Sequence, residues 1–557
     1  MSTTFAHNKG DLLFVPLGGS AEIGMNFNLY HLDGKWLVLD CGAGFAEDFM
    51  PGIDMLVPDI RFISERKKDL LGIVLTHAHE DHLGAVQYLW QELGCKVYAT
   101  PFTAAFLRAK LSEFGLKGVV PIQEVPCGGS FELGPFSLEM VQITHSVPEM
   151  QGIVLRTKQG TVLHTGDWKL DPNPVVGPTT DEVKLAALGK EGVLAMVCDS
   201  TNIFKEEHSG SEGDLQTSLM TLVRNASKLV VVTTFASNIA RIETVARAAA
   251  ASGRSLVMAG RSLWRIYQAA RESGYLLDIP EILPDHQLTK LPREKTILLC
   301  TGCQGEPLAA MNKIAHGTHP QIRLAQGDTV IFSSKIIPGN DKRIFRLFNK
   351  LILQGVEVLT ERDHFVHVSG HPSRQELAHM YGLVRPKIAI PVHGEHVHMH
   401  EHARFAKGLG VENAFQVKNG DVLRLAPGAA GIIGKVPCGF FGIDGNLLLG
   451  PDCTILKQRR RMQKEGLVVV SLVMNKEKPG LRLPPQVLAP GALDPVEDAD
   501  ILSAISMEIK NALDGKQPKS SRGGETTLVN VVRAAVKRIM RNEIGKEPLV
   551  EVLIERV

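Results

Sequence analysis

Four residues able to bind a metal, His77, His79, Asp81 and His82, fall within six positions directly after the apolar segment Gly72 to Leu75. On a strand, residues two apart share a face, so His77 and His79 are expected to reach one ion together. Asp81 and His82, in a turn beyond that strand, are then aimed at a second ion. Neutral imidazole and carboxylate suit zinc or manganese, and the cluster holds no thiolate, which favours a catalytic over a structural site. Further candidate ligands stand downstream at His145, Asp167 and His393. Two ions held by such a set and sharing a water lower its pKa toward neutrality, which is the chemistry of metal-assisted hydrolysis.

Those residues need elements to carry them. Strands are expected at Leu12 to Leu17, Asn26 to His31 and Trp36 to Asp40, where β-rich composition is broken by Gly and Asp-Gly turn signals. Helical patterns follow the metal run at Ala85 to Glu92 and Thr103 to Phe114. Strands resume over Phe136 to Thr144 and Ile153 to His164, with a hairpin turn at Gln159-Gly160. Far more residues lie between Asp167 and His393 than one loop of a compact domain holds, so a whole domain must be inserted there. Within that insert, apolar runs at Leu229 to Thr233, Ser255 to Met258, Thr296 to Leu299 and Thr329 to Ser333 alternate with helical stretches such as Ile239 to Ala251. That alternation implies a parallel α/β sheet, with Ser237 and Ser333 at strand ends where ligands bind.

Composition agrees with a large multidomain enzyme: 557 residues exceed one core, and 44% apolar content supplies several. A net charge of +1 excludes a polycation that binds nucleic acid indiscriminately, so any nucleic-acid contact is local. Eight irregularly spaced cysteines fit a reducing compartment rather than a disulfide scaffold, and Cys300 and Cys303 read as small buried residues at a strand end. No run of 18 apolar residues and no hydrophobic signal core in Met1 to Gly10 are present, so a cytoplasmic protein without membrane association is expected.

The run His77-Ala78-His79-Glu80-Asp81-His82 resembles the signature of the metallo-β-lactamase superfamily. His145 in Ile143-Thr144-His145-Ser146 and Asp167 in His164-Thr165-Gly166-Asp167 are similar to its later motifs, and Asp40 in Leu37-Val38-Leu39-Asp40-Cys41-Gly42 to its first, where a carboxylate orients a metal ligand. Asp199 in Cys198-Asp199-Ser200-Thr201-Asn202, His371 in His367-Val368-Ser369-Gly370-His371 and His393 in Ile390-Pro391-Val392-His393-Gly394-Glu395 resemble motifs A, B and C of the β-CASP nucleases. Within that group the chain is most similar to the bacterial ribonuclease J family, through Pro16-Leu17-Gly18-Gly19, Thr234-Phe235-Ala236-Ser237-Asn238-Ile239, Thr301-Gly302-Cys303-Gln304-Gly305-Glu306-Pro307 and Ile337-Pro338-Gly339-Asn340. The likeness runs from about residue 10 to about residue 450.

The resemblance implies an α/β protein: a metallo-β-lactamase αββα sandwich at residues 1–208 and 363–450 and an inserted parallel α/β β-CASP domain at 209–362; beyond them the basic run Lys457-Gln458-Arg459-Arg460-Arg461 with Lys464 reads as a linker at 451–465, and a small C-terminal α+β domain is expected at 466–557, of a kind that serves oligomerisation in the family resembled. His77, His79 and His145 would hold one ion, Asp81, His82 and His393 the other, with Asp167 bridging. Zinc is the foremost metal, with manganese or magnesium as alternatives. Among the catalytic residues, Asp81 belongs to the metal set, His371 would contact the scissile phosphate, and Asp199 would orient its neighbours. The implied activity is 5′-to-3′ exonucleolysis of 5′-monophosphorylated single-stranded RNA, with endonucleolysis beside it, in mRNA decay and rRNA maturation. Ser237, Asn238, His367, Ser369 and Gly370 would bind the RNA 5′-phosphate. A homodimer or homotetramer, and a place in an RNA-decay assembly, belong to the same expectation. Alternatives are a β-CASP endonuclease indifferent to the 5′ end, a small-molecule hydrolase of the superfamily, and an inactive RNA-binding scaffold.

In the C-terminal region, Leu467 to Met474 and Leu549 to Ile554 read as strands around helices at Ala499 to Leu513 and Thr527 to Glu543, with a polar loop at Lys516 to Gly524. Arg533, Lys537, Arg538 and Arg541 form a basic face, read as solvated or as an RNA contact. His396, His398, His400 and His402 read as surface residues or as supports of the metal ligands.

Overall fold

The computed structural model describes residues 7–46, 49–476, 480–514 and 522–557, the side chains of 522–524 excepted. Two compact units result, Met1–Gly44 with Val57–Gly439, and Phe45–Leu56 with Phe440–Val557.

The first unit is built on an eight-stranded and a seven-stranded sheet that share one core. Leu12, Phe14, Tyr30, Leu37 and Leu39 of the first sheet meet Phe136, Leu138, Ile153, Val197 and Ile390 of the second. The strands are apolar on both faces, because the second sheet also buries Val154, Leu163 and Met196 under helices Glu182–Glu191, Arg374–Val384 and His396–Gly408. Helix Pro101–Glu113 lies against Val97–Ala99 and Ile122–Glu124 of the first sheet. This is the αββα sandwich. Its connections put the candidate ligands at one edge. Strand Lys35–Leu39 runs parallel to Leu70–Val74, so Asp40 and the histidine run leave the sheet side by side. Gly160–His164 is parallel to Ala195–Asp199, which is parallel to Ile388–Val392. Asp167, Asp199 and His393 therefore emerge from three neighbouring carboxyl ends.

The chain leaves the sandwich after Asp199 and returns to the adjacent strand. Between them lies a six-stranded sheet whose pairings are all parallel, ordered Ile282–Pro284, Ser255–Ala259, Thr296–Cys300, Val230–Thr233, Thr329–Phe332 and Glu357–Leu359. Helix Ile239–Ala251 starts where its pattern predicts, with Asn238 as a cap accepting from Arg241 N at 2.9 Å.

In the second unit, strand Leu467–Met474 buries alternate residues against helices Ala499–Leu513 and Arg522–Ile544 and pairs in parallel with Leu549–Arg556. Three expectations fall on this unit. Within the stretch 451–465, expected as a linker, Thr454–Glu465 is a helix, because those twelve residues lack glycine and proline and are rich in the good helix formers Arg, Lys and Gln. Of the loop expected at Lys516 to Gly524, residues 516–521 lie outside the described residues, and Arg522 onward is already helical. The basic face of that helix makes surface ion pairs with Glu551, Glu547 and Glu508.

Gly42 shows how closely the site edge is packed. A Cβ there would sit 1.7 Å from Asp81 O and 2.8 Å from Asn26 N, both backbone atoms that cannot move aside. Gly42→Ala is expected to cost at the upper end of the ~1–3 kcal/mol typical of overpacking, measured as a lower midpoint of thermal unfolding; an unchanged midpoint would refute the close approach.

Candidate metal centre

Strand Leu70–Val74 stops two residues short of Thr76. The histidine run is thus a loop followed by the short helix Glu80–Leu83, not the strand and turn expected from its spacing. The reason is Asp40, a left-handed residue whose carboxylate accepts from Thr76 N at 2.8 Å and from Thr76 Oγ1 at 2.9 Å, pulling the backbone out of the ladder. His77 and His79 still converge, through the loop rather than through a strand face.

Two groups of donors form. His77 Nε2 and His145 Nε2 each lie 3.0 Å from His79 Nδ1. Asp81, His82, Asp167 and His393 make the second group, with Asp167 Oδ2 3.1 Å from His82 Nε2 and 3.3 Å from His393 Nε2. Within each group the atoms are all within 4.8 Å of one another. Every one of the five imidazoles also has its other nitrogen held. His77 Nδ1 lies 2.9 Å from Thr76 Oγ1, His145 Nδ1 donates to Gly370 O at 2.6 Å, and His79 Nε2 lies 3.3 Å from Ser146 Oγ. His82 Nδ1 is 2.7 Å from Asp40, and His393 Nδ1 is 2.9 Å from the Asn26 amide. Fixing the far nitrogen sets tautomer and ring direction, as metal-binding histidines require. The donor set fits two divalent cations, all imidazole on one side and imidazole with carboxylate on the other.

Asp167, Asp199 and His371 form a third group beside these. His371 Nδ1 sits 2.7 Å from Asp199 Oδ2 and 3.9 Å from Asp167 Oδ2. The Asp199 carboxylate also accepts from Thr201 N at 2.8 Å, and Thr201 Oγ1 donates to His393 O at 3.0 Å.

Burial holds His77 and His145 well below the ordinary histidine value and His79 at about 4, aided by the neighbouring imidazoles. Burial opposes charge on His82 too, but Asp167, Asp40 and Asp81 together lift it well above. His371 is likewise disfavoured by burial and raised to about 9 by Asp199, Asp167 and Asp81. Burial would raise Asp167; His393, His82 and His371 keep it well below the carboxylate range.

The five residues expected to take a 5′-phosphate are differently placed. Asn238 is a buried helix cap, its carbonyl already accepting from Arg241 N, and Ser237 is half-buried at the same strand end. Ser369 Oγ accepts from Asn202 Nδ2 at 2.7 Å, and Gly370 O is the acceptor for His145. His367 is different: its Nδ1 is buried without a hydrogen-bond partner. Burial and then the charges of Arg241, Lys205, Lys335 and Lys169 push its pKa well below normal. Sequence reasoning missed Arg241, Lys205, Lys335 and Asn26, because nothing in their spacing ties them to the site, and passed over Lys169 and Thr76, which adjoin candidate ligands but are not ligands themselves. Of the trailing histidines, His396 and His400 are exposed. His402 is fully buried, with Nδ1 2.9 Å from Ser200 Oγ and Nε2 3.0 Å from Tyr381 OH.

Comparisons with known proteins fall on the same regions. Family models match for the metallo-β-lactamase superfamily over residues 26–195 and for the ribonuclease J β-CASP domain over 227–351. A Zn-dependent metallo-hydrolase RNA specificity domain matches 355–415, and the ribonuclease J C-terminal domain 454–557. The chain is 40% identical to a ribonuclease J of Sinorhizobium meliloti over 98% of both chains. It is 34% identical to a ribonuclease J of Thermus thermophilus, over 96% of this chain and 94% of the other. A crystal structure of an Enterococcus faecalis protein of unknown function matches 74% of this chain and 100% of its own, at 15% identity and a TM-score of 0.53, a likeness of fold.

With His82 charged in the metal-free protein, a cation entering the Asp81, His82, Asp167 and His393 group must displace its proton. Affinity should therefore rise about tenfold per pH unit across the neutral range, one proton being released for that ion. Titration calorimetry in two buffers of different ionisation enthalpy measures both; a pH-independent affinity would contradict it.

Proposed function

The chain belongs to the ribonuclease J family of metal-dependent ribonucleases, and from that premise we propose that it degrades single-stranded RNA from a 5′-monophosphate end, releasing nucleotides 5′ to 3′, with internal cleavage as a second activity. The observation that carries this reading is the convergence of five imidazoles, each pinned at its far nitrogen, with Asp81 and Asp167 and beside His371.

His77, His79 and His145 would hold one divalent cation and Asp81, His82 and His393 the other, with Asp167 between them and Asp40 orienting His82. Zinc suits this set best; manganese or magnesium are the alternatives. Two such cations, when bound, would supply a water acidic enough to ionise near neutrality and would neutralise charge on the phosphate. The chain's own residues do the rest. His371, kept protonated by Asp199, donates a hydrogen bond to the phosphate oxygen or the departing oxygen, a role typically worth ~10²- to 10⁴-fold. No 2′-hydroxyl takes part, so the products carry 5′-phosphate and 3′-hydroxyl ends.

His367, with its free nitrogen among Arg241, Lys205 and Lys335, supports an anion pocket for the 5′-phosphate, flanked by Ser369, Gly370, Ser237 and Asn238. Lys205 is lowered by burial and by the adjacent Lys335, two cations side by side, as suits a phosphate between them. A triphosphate carries more bulk and charge than such a pocket holds. We assign the nuclease domain to 1–208 and 363–450, the β-CASP domain to 209–362, and oligomerisation, as a dimer or tetramer, to the C-terminal module. No helix among the described residues is long and apolar enough to cross a membrane, and we place the protein in the cytoplasm, acting in mRNA decay and rRNA maturation within an RNA-decay assembly.

The test is digestion of one RNA bearing either a 5′-monophosphate or a 5′-triphosphate, by metal-loaded protein and by His77→Ala. Mononucleotides released preferentially from the monophosphate, and abolished by His77→Ala or a chelator, are expected. Internal fragments indifferent to the 5′ end would replace the exonuclease reading with an endonuclease. In the same assay Lys335→Ala should lose one charge-assisted hydrogen bond, about 1.5–3 kcal/mol, and so about 10- to 100-fold of the monophosphate preference, without slowing internal cleavage; an unchanged preference would remove Lys335 from the pocket.

A further inference from the structure

Glu376 is completely buried, yet its carboxylate has no cationic partner among the described residues. Five donors satisfy it instead. Oε1 accepts from Leu170 N at 2.9 Å and Ser209 Oγ at 2.8 Å. Oε2 accepts from Ser209 N at 3.0 Å, Ser373 N at 2.9 Å and Ser373 Oγ at 3.0 Å. A helix capping box accounts for the bond from Ser373 N, and the Ser373 hydroxyl adds a second bond within the same turn. The box does not account for the other three, which reach into two distant segments.

Those segments are the ones that matter to the site. Leu170 lies three residues after Asp167. Ser209 lies on the crossover that leaves the sandwich, and its carbonyl accepts from Ser369 N at 3.3 Å, in the turn that ends at His371. Ser373 is two residues beyond His371. A second tie keeps the same strands together: buried Lys169 and Asp171 pair at 2.8 Å, Lys169 Nζ donates to Gly210 O at 3.1 Å, and Asp171 accepts from Glu212 N at 2.9 Å. A fully satisfied buried network of this kind fixes one arrangement of its members.

We infer that Glu376 is a positioning residue for phosphodiester cleavage, clamping the Leu170 and Ser209 segments so that the turn from Ser369 presents His371 beside Asp167. The inference rests on the reading of His371 as the group that meets the phosphate. All five partners are donors, so only a carboxylate serves. In Glu376→Gln one oxygen becomes an NH₂ group that faces N–H and O–H donors, and the turn must shift. A displacement of about 1 Å in a catalytic group costs on the order of 10²-fold in rate.

The experiment is a double-mutant cycle on cleavage of 5′-monophosphorylated RNA under single-turnover conditions, with bound metal counted in every variant. Glu376→Gln is expected to lower the rate about 10²-fold with both ions retained and KM little changed. In a His371→Ala background the same substitution is expected to change the rate less than about threefold, because its route to the chemistry is gone. An undiminished rate in Glu376→Gln, an equal loss in both backgrounds, or loss of the ions would overturn the inference and make Glu376 a packing or metal-site residue. Should Glu376→Gln not fold, Ser209→Ala, which deletes one bond only, is carried through the same cycle with a smaller loss expected and the same criterion. A His371→Ala enzyme as fast as the parent would instead sink the reading of His371 itself.

Discussion

Seven ionisable side chains meet within a few ångström in a region that excludes most water, and five of them are imidazoles. Left to themselves such groups repel, lose solvation and turn away, so a fold that gathers them must restrain each from behind. Here Thr76, Ser146, Gly370 O, Asp40 and Asn26 take the far nitrogen of each ring. The restraints reach outward in turn. Asp40 adopts a left-handed backbone to aim at both Thr76 and His82, and Gly42 lacks the side chain that would collide with Asp81. The sandwich edge is shaped by the need to hold these dipoles and charges still.

Topology meets the same need at longer range. Asp199 and Val392 pair on adjacent parallel strands, so the ends of the insert are fixed beside each other whatever the insert contains. A parallel pair requires a crossover, and this chain uses the crossover to carry a whole six-stranded domain. The result is that Asp199, His371 and His393, far apart in sequence, close one side of the site. Glu376 and the Lys169–Asp171 pair stitch the outgoing and returning segments together where they pass.

Electrostatics divides the cluster by role. The His77, His79 and His145 group is kept neutral by burial and mutual repulsion, as a ligand must be. His371, facing three carboxylates, is kept charged, the state the proposed donation to phosphate requires. Farther along the same turn, His367 has cations on its other side and is kept neutral. One short loop thus carries two histidines of opposite protonation, set by whether aspartates or basic residues surround them.

Much of this was legible from residue types and order. The ligand-rich run, the parallel insert and the limits of helices Ile239–Ala251 and Ala499–Leu513 depend on local composition and periodicity, which the chain displays directly, while the lone candidates His145, Asp167 and His393 were picked out by their resemblance to family motifs. Local cues failed where tertiary contacts overrode them. Asp40 pulled the histidine run off its strand, whereas in Thr454–Glu465 the helix propensity of the residues themselves outweighed a linker-like charge pattern. The partners of the site, Asn26, Thr76, Lys205, Lys335 and Glu376, carry no periodic signature at all. What the sequence determined alone was which chemistry the chain holds, because ligand identity is covalent. Which nitrogen faces inward, which histidine keeps its proton and which buried carboxylate clamps the turn were decided only by the folded structure, because hydrogen bonds and fields depend on distances that the chain order does not contain.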